Sequence, residues 1–257
     1  MATASQVEQA WQVLSELGLA KQTIPVTYMN SSAAIKSFTG ENAGTICTSS
    51  NAERAMKWAF EQGEKVLFLP DQHLGRNTAV LKLGLKLEDC ALWNPWKPRG
   101  GLSDQEIKAA KVLLWRGHCS VHGRFSLSNV EEVRKRIPGV NVLVHPECQH
   151  DVVKAADHVG STEGIIKMVK SAKSGSAWAI GTELNLVKRL ATENPDKNVV
   201  FLDKTVCYCS TMNRIDLPHL VWAMEALNSG RLVNQIKVDD KTATFARLAL
   251  ERMLALP

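Results

Sequence analysis

Cysteine and histidine concentrate in two short segments of the sequence. The segment WRGHCSVH, residues 115–122, contains His118, Cys119 and His122, and CYCSTM, residues 207–212, contains Cys207 and Cys209. Thiolates at such positions can hold iron or zinc. The spacing matches neither paired CxxC motifs nor a ferredoxin run, so spacing alone leaves metal binding, a catalytic thiol and a His118/Cys119/His122 zinc hydrolase site all open.

Composition narrows the class of protein. The 257 residues are 45% apolar and 22% charged, which excludes disorder and coiled coil. The longest apolar runs are far shorter than the roughly 20 residues of a membrane span, and the N-terminus does not resemble a signal peptide. Six cysteines in such a chain favour a reducing compartment, so we expect a cytoplasmic protein.

The charge pattern indicates the kind of ligand. The net charge is +5, but the basic residues are scattered among acidic ones, and no basic stripe is interleaved with aromatic residues. We therefore expect neither a nucleic acid nor a membrane as partner. A mild positive excess suits small anionic ligands.

A β-rich run, a polar loop and an amphipathic helix recur along the chain. Strands are predicted at 24–28, 45–47 and 65–69, and again at 140–144, 158–159, 177–180 and 198–202. The loops of the two halves are offset by roughly 115 residues. This alternation predicts an α/β fold of repeated, pseudo-symmetric three-layer α/β/α domains with short parallel sheets.

The loops after these strands carry hydroxyl, amide and imidazole groups. In a parallel sheet such loops lie beyond the carboxyl ends of the strands, where ligands bind and helices begin. No Walker or GxGxxG motif is present, and serine or threonine at these positions is also an ordinary helix cap. The similar chemistry of several loops nevertheless favours a site for small, multiply charged anions.

Eight motifs, in order and over nearly the whole chain, resemble those of quinolinate synthases: VTYMNSSAAIK, CTSSNA, FLPDQHLGRN, WRGHCSVH, VHPEC, VGSTEGII, AIGTE and CYCSTM. The resemblance implies an enzyme, a transferase that condenses iminoaspartate with dihydroxyacetone phosphate to quinolinate for NAD biosynthesis. It also implies a [4Fe–4S] cluster held by one cysteine from each of three similar domains, with an open iron as Lewis acid. L-Aspartate oxidase is then a possible partner that supplies iminoaspartate.

The same resemblance assigns roles to individual residues. Cys119 and Cys209 match cluster ligands, with Cys207 as a neighbour. His145 and Glu147 of VHPEC would bind substrate and transfer protons, and Tyr28 would be the third catalytic residue. The expected substrate-binding residues are these three together with Asn30, Ser49, Ser50, Ser161 and Thr162.

The resemblance implies a further, first domain with its own cluster cysteine, and we expect this sequence to lack most of it. We expect residues 1–22 to form a helix that follows that domain, 23–118 and 119–206 to form two complete α/β domains, and 207–257 to form a cluster loop and helices. A domain boundary at the Trp93–Ser103 linker is an alternative. Because two thiolates do not hold a stable [4Fe–4S] cluster, we expect this chain alone to have little or no activity. The competing hypothesis is a catalytically impaired homologue that acts only as an anion-binding α/β module.

Overall fold

The computed structural model describes residues 2–205, 209 and 211–256, and its first sheet is entirely parallel. Its strands are β1 (Thr23–Tyr28), β2 (Thr45–Cys47), β3 (Lys65–Leu69), β4 (Cys90–Trp93) and β5 (Val112–Trp115). Every residue of β1, β2, β3 and β5 is buried, as expected for strands covered on both faces. The order across the sheet is β2-β1-β3-β5-β4.

Helices cover both faces of this sheet. On one face, α1 (Ala4–Glu16), α2 (Ala33–Glu41) and α5 (Asp104–Ala109) enclose a core that includes Val7, Leu14, Ile35 and Ile107. On the other face, α3 (Ala52–Gln62) and α4 (Gln72–Asn77) enclose a second core that includes Ala55, Met56 and Leu74. The first half is therefore a three-layer α/β/α arrangement.

The second sheet is smaller and also parallel. Its strands are β6 (Asn141–Val144), β7 (His158–Val159), β8 (Ala177–Gly181) and β9 (Asn198–Phe201), in the order β7-β6-β8-β9. One face packs against α6 (Leu127–Arg136) and α7 (His150–Ala155), and the other against α8 (Thr162–Ser171) and α9 (Leu184–Glu193). The predicted α/β fold with parallel sheets and helices on both sides is confirmed.

The two sheets share a topology at their centres. The order β2-β1-β3 in the first sheet is repeated as β7-β6-β8 in the second, so each sheet reverses its winding beside its first strand. Crevices for ligands form at such reversals, beyond the carboxyl ends of the central strands. The loops after β1, β3, β6 and β8 are therefore the places where a site is expected.

Strands β4 and β5 were not predicted from the sequence. Strand β5 pairs with both β3 and β4, so a domain boundary at Trp93–Ser103 is wrong because it would divide the first sheet. Each strand is a run of only four apolar residues, CALW and VLLW, and so short an apolar run does not by itself distinguish a strand from a buried helix segment. The remaining boundaries of the domain scheme stay a prediction.

Two helices follow the second sheet and differ in their packing. Helix α11 (Asp240–Leu254) crosses α2 so closely that a Cβ on Gly40 would overlap the carbonyl oxygen of Phe245. Arg252 Nη1 donates to the carbonyl oxygens of Gly40 and Gly44 at 3.0 and 2.8 Å. Helix α10 (Leu217–Asn228) buries only Ala226 among its residues. Among the described residues, no helix combines the length and apolar character of a bilayer span.

Candidate active site

The crevice of the first sheet is lined by groups that donate and accept hydrogen bonds. Tyr28, the last residue of β1, is 8% exposed, and its phenol forms a hydrogen bond with Ser49 in the loop after β2. Burial and the nearby Glu147 carboxylate raise the pKa of Tyr28 well above its ordinary value. Tyr28 is therefore a neutral phenol at physiological pH.

The crevice of the second sheet contains His145 and Glu147, which follow β6. The chain turns here, since the Cys148 N–H donates to the His145 carbonyl oxygen at 3.0 Å. His145 and Glu147 are only 2% and 5% exposed. The Glu147 backbone N–H donates to His145 Nδ1 at 3.3 Å. Burial and the neighbouring His122 hold the pKa of His145 well below its usual range, so the ring is neutral. Because Nδ1 accepts from the Glu147 N–H, we assign the ring proton to Nε2.

His122 joins the two crevices from the segment between the sheets. Its ring stacks on that of His145 with a centroid distance of 4.2 Å and an interplanar angle of 12°. Its Nδ1 lies 2.7 Å from Glu147 Oε2, and its Nε2 lies 3.2 Å from Thr182 Oγ1. Burial opposes its protonation, but contacts with the Cys119 thiol and the Glu147 carboxylate outweigh burial and raise the pKa of His122 to about 9.

Cys119 completes a compact group of potential metal ligands. Single donor atoms of Cys119, His122 and Glu147 all lie within 4.8 Å of one another. Thiolate, imidazole and carboxylate are the ligand types that hold zinc and other transition metals, and thiolates hold iron–sulfur clusters. The donor chemistry at Cys119 therefore fits either a single metal ion or one corner of a cluster.

Cys209, the second predicted cluster ligand, lies in surroundings that favour the thiolate. Slight burial opposes ionisation, but hydrogen bonds with Met212 and Thr211 outweigh it and lower the pKa of the Cys209 thiol. Burial instead raises the pKa of the three remaining described thiols, Cys47, Cys90 and Cys148. Cys207, the predicted neighbour, lies outside the described residues.

The structure brings only some of the predicted site residues together. Tyr28 and Ser49 are in contact, and the Glu147 charge acts on Tyr28. Ser50 is exposed and its hydroxyl lies 2.8 Å from Thr48 Oγ1. Asn30 is exposed just beyond β1.

The remaining predicted residues lie at a helix start and in the central loop. Ser161 caps α8 by accepting from the Gly164 N–H at 3.2 Å, and Thr162 beside it is exposed. The structure groups Cys119 and His122 with Glu147 instead of His118, whose ring faces His73 at 6.3 Å. The geometry thus gives no support to a His118/Cys119/His122 zinc site.

Three residues outside the predicted substrate and cluster site belong to the candidate site, and one of them, His122, was predicted only as a ligand of the alternative zinc site. His122 lies between Cys119 and Glu147, Thr182 contacts His122, and Asp71 accepts a hydrogen bond from the Cys119 N–H at 2.9 Å. All three belong to motifs quoted above, WRGHCSVH, AIGTE and FLPDQHLGRN, and follow strands. For Asp71 and Thr182, the position just after a predicted strand was the available indication, whereas the strand before His122, β5, was not predicted.

Comparison with known proteins identifies relatives over the whole chain. The sequence model of the family described as "Quinolinate synthetase A protein" matches residues 1–255. A quinolinate synthase of Streptomyces coelicolor is 70% identical over 259 residues, which cover all of this chain and 66% of that protein. Quinolinate synthases of Nocardioides and Geobacillus species are 65% and 52% identical, again over the full chain and over 67% and 69% of their own lengths. The chain, which spans about two thirds of the length of these relatives, belongs to the quinolinate synthetase A family.

Proposed function

We propose that the chain takes part in quinolinate synthesis for NAD biosynthesis, as a transferase that condenses iminoaspartate with dihydroxyacetone phosphate and releases phosphate and water. The observation that carries this proposal is the Glu147 carboxylate, buried beside His145 and His122 and within reach of the Cys119 thiol. The names of the relatives support quinolinate as the product, and the site offers proton-transfer groups that the proposed condensation needs.

Proton transfer is the role proposed for the second crevice. Forming and dehydrating an imine requires a group that accepts a proton and a group that donates one. Glu147 is the proposed acceptor, and the neutral His145 ring can donate from Nε2. The charged His122 beside them would stabilise the negative charge of the substrates. Tyr28 stays neutral and can donate its phenolic proton to a substrate oxygen.

Binding of carboxylate and phosphate groups is the role proposed for the loops. Hydroxyl and amide side chains at the carboxyl ends of strands donate to anions, and the N-terminus of α8 adds backbone N–H groups and a positive dipole end. The residues proposed for this role are Asn30, Ser49, Ser50, Ser161 and Thr162. The net charge of +5 favours the encounter with both anionic substrates.

Cys119 and Cys209 are the residues proposed to hold a [4Fe–4S] cluster, since their thiols have the right donor chemistry. When bound, such a cluster would supply an open iron that acts as a Lewis acid on a substrate oxygen. A further thiolate ligand would come from outside this pair. We also propose L-aspartate oxidase as supplier of iminoaspartate and the cytoplasm as the compartment.

Anaerobic reconstitution with iron and sulfide tests the proposal. Iron and sulfide content, quinolinate formation and calorimetric binding of quinolinate are measured on the chain and, in parallel, on the S. coelicolor relative. We expect quinolinate to bind, and product formation to depend on bound iron and to be well below that of the relative. Quinolinate binding without iron uptake or turnover would favour the anion-binding module. Absence of both binding and turnover would contradict the proposal.

A further inference from the structure

Asp71 is a buried carboxylate at the start of α4. It follows the cis Leu69–Pro70 bond at the end of β3 and is 4% exposed. Its Oδ1 accepts from the backbone N–H groups of His73 and Leu74, each at 2.8 Å. One carboxylate oxygen is therefore sufficient to cap the helix, as serine or threonine hydroxyls do elsewhere.

The second carboxylate oxygen serves a different segment. Asp71 Oδ2 accepts from the Cys119 backbone N–H at 2.9 Å, a contact that joins positions 48 apart in sequence. The Gln72 N–H donates to the Gly117 carbonyl oxygen at 2.9 Å. A Cβ on Gly117 would overlap the Pro70 carbonyl oxygen, so the two loops touch through their backbones. Residues 70–72 thus contact residues 117–119 at three points.

Helix capping alone does not explain a carboxylate at this position. Asp71 is 4% exposed, and both of its carboxylate oxygens accept hydrogen bonds, Oδ1 from the His73 and Leu74 N–H groups and Oδ2 from the Cys119 N–H. A serine could cap α4 with its single hydroxyl oxygen. The oxygen that a serine lacks is the one that binds the Cys119 N–H.

The backbone of Cys119 determines where its thiol points. The Cα–Cβ bond leaves the chain in a direction fixed by the adjacent peptide groups, and the thiol lies beside His122 and Glu147. We propose that Asp71 is a positioning residue, whose Oδ2 holds the Cys119 backbone so that the thiol meets His122. The ligand role of Cys119 rests on the proposed function, whereas the hydrogen bond and the thiol–imidazole contact do not.

Two substitutions separate capping from positioning. Asp71→Ser keeps a capping oxygen but is too short to reach Cys119, and Asp71→Asn keeps Oδ1 but presents an NH₂ group to the Cys119 N–H. Amide exchange by NMR is measured at Cys119, His73 and Leu74 in the full chain. We expect exchange at Cys119 to accelerate at least tenfold in both variants, while His73 and Leu74 keep most of their protection.

The ring resonance of His122 reports the thiol position directly. Cys119→Ala, which removes the thiol, gives the reference signal for an imidazole without its sulfur neighbour. We expect the His122 signal in both Asp71 variants to move from the wild-type position towards the Cys119→Ala position. Asp239→Ser, at the exposed cap of α11, is the matched control and should leave both readouts unchanged.

Unchanged Cys119 exchange and an unchanged His122 signal in folded Asp71→Asn would overturn the proposal and leave Asp71 as a helix cap only. The near-isosteric Asp71→Asn decides the question if Asp71→Ser fails to fold, as judged by near-ultraviolet circular dichroism. Neither readout requires a cluster or turnover. The positioning role of Asp71 can therefore be tested even if the chain does not synthesise quinolinate. Conversely, a negative result for Asp71 would not contradict the proposed reaction.

Discussion

The two sheets present topologically equivalent crevices but fill them with different chemistry. Beyond β1 and β3, the first sheet places Tyr28 and Asp71, whose contacts are hydrogen bonds to Ser49 and to backbone N–H groups. Beyond β6, the second sheet places His145 and Glu147, against which the His122 ring packs. The first crevice therefore combines a neutral phenol with hydrogen bonds that hold its loops, whereas the second contains the imidazole and carboxylate groups that we propose to accept and donate protons.

Neutralising Glu147 is the most direct way to test this difference. We expect Glu147→Gln to lower quinolinate formation by the reconstituted protein by about 10²–10⁴-fold, because an amide cannot accept the proton. The substitution also removes the buried 2.7 Å contact with His122, so the free energy of unfolding should fall by about 3 kcal/mol, and turnover is compared on variant protein shown to be folded by circular dichroism.

The matched control is Glu163→Gln, an exposed carboxylate in the first turn of α8. It should leave turnover within about twofold of the wild type, since surface substitutions have small effects. Equal turnover in Glu147→Gln and Glu163→Gln would contradict the proposed role of Glu147 in proton transfer.

The neutral state of Tyr28 in the first crevice can be tested by measuring phenolate absorbance. The chain has two tyrosines, so Tyr208→Phe leaves Tyr28 as the single phenol. Because burial and Glu147 raise the pKa of Tyr28, we expect no phenolate absorbance in the native protein at pH 10, where an ordinary tyrosine is about half ionised. In denaturant the same phenol should titrate near pH 10.

The raised pKa has a consequence for stability with a definite sign. Above pH 10 the unfolded chain ionises its tyrosine while the folded protein keeps the proton, so this contribution to stability falls as the pH rises further. Tyr28→Phe should abolish that part of the decline. Native Tyr28 that is half ionised at pH 10 would show that the first crevice is open to water.

Asn77 links the two crevices, and its removal should weaken the fold. From the end of α4, Asn77 Nδ2 donates to the carbonyl oxygens of Pro146 and Cys148 at 2.8 and 2.9 Å, and Oδ1 lies 2.8 Å from His150 Nδ1. Asn77→Ala leaves buried carbonyl groups unpaired, so we expect the free energy of unfolding to fall by about 2 kcal/mol in urea denaturation.

Asn228→Ala, at the exposed end of α10, is the control and should change stability by less than about 0.5 kcal/mol. If both variants have the same stability, the loop after β6 does not depend on the first half of the chain. The hydrogen bonds of the first crevice would then stabilise only the loops of the first sheet.

Local patterns predicted the elements well where burial was periodic or continuous. Strands β2 and β3 were predicted at 45–47 and 65–69 and begin and end at those residues, and β1 differs by one residue at its start. The site was predicted less completely, because His122 meets Glu147 only when the loop after β5 packs on the loop after β6. Such contacts depend on how the two sheets pack together, which no spacing within one motif specifies.

The two neighbouring serines after β2 test, with the smallest expected effect, whether hydrogen bonds to Tyr28 distinguish the first crevice from the second. Ser49 bonds to Tyr28, whereas Ser50 is exposed and contacts Thr48. Ser49→Ala should lower the free energy of unfolding by about 1 kcal/mol, the value of one hydrogen bond, and Ser50→Ala by less than about 0.5 kcal/mol. Because the Ser49 hydrogen bond favours the phenolate, Ser49→Ala should also raise the pKa of Tyr28 further, as read from the phenolate absorbance of the Tyr208→Phe background. Equal effects of the two substitutions on stability and on the tyrosine titration would mean that the Tyr28 phenol is held by burial alone, and the first crevice would no longer differ from the second by its hydrogen bonds.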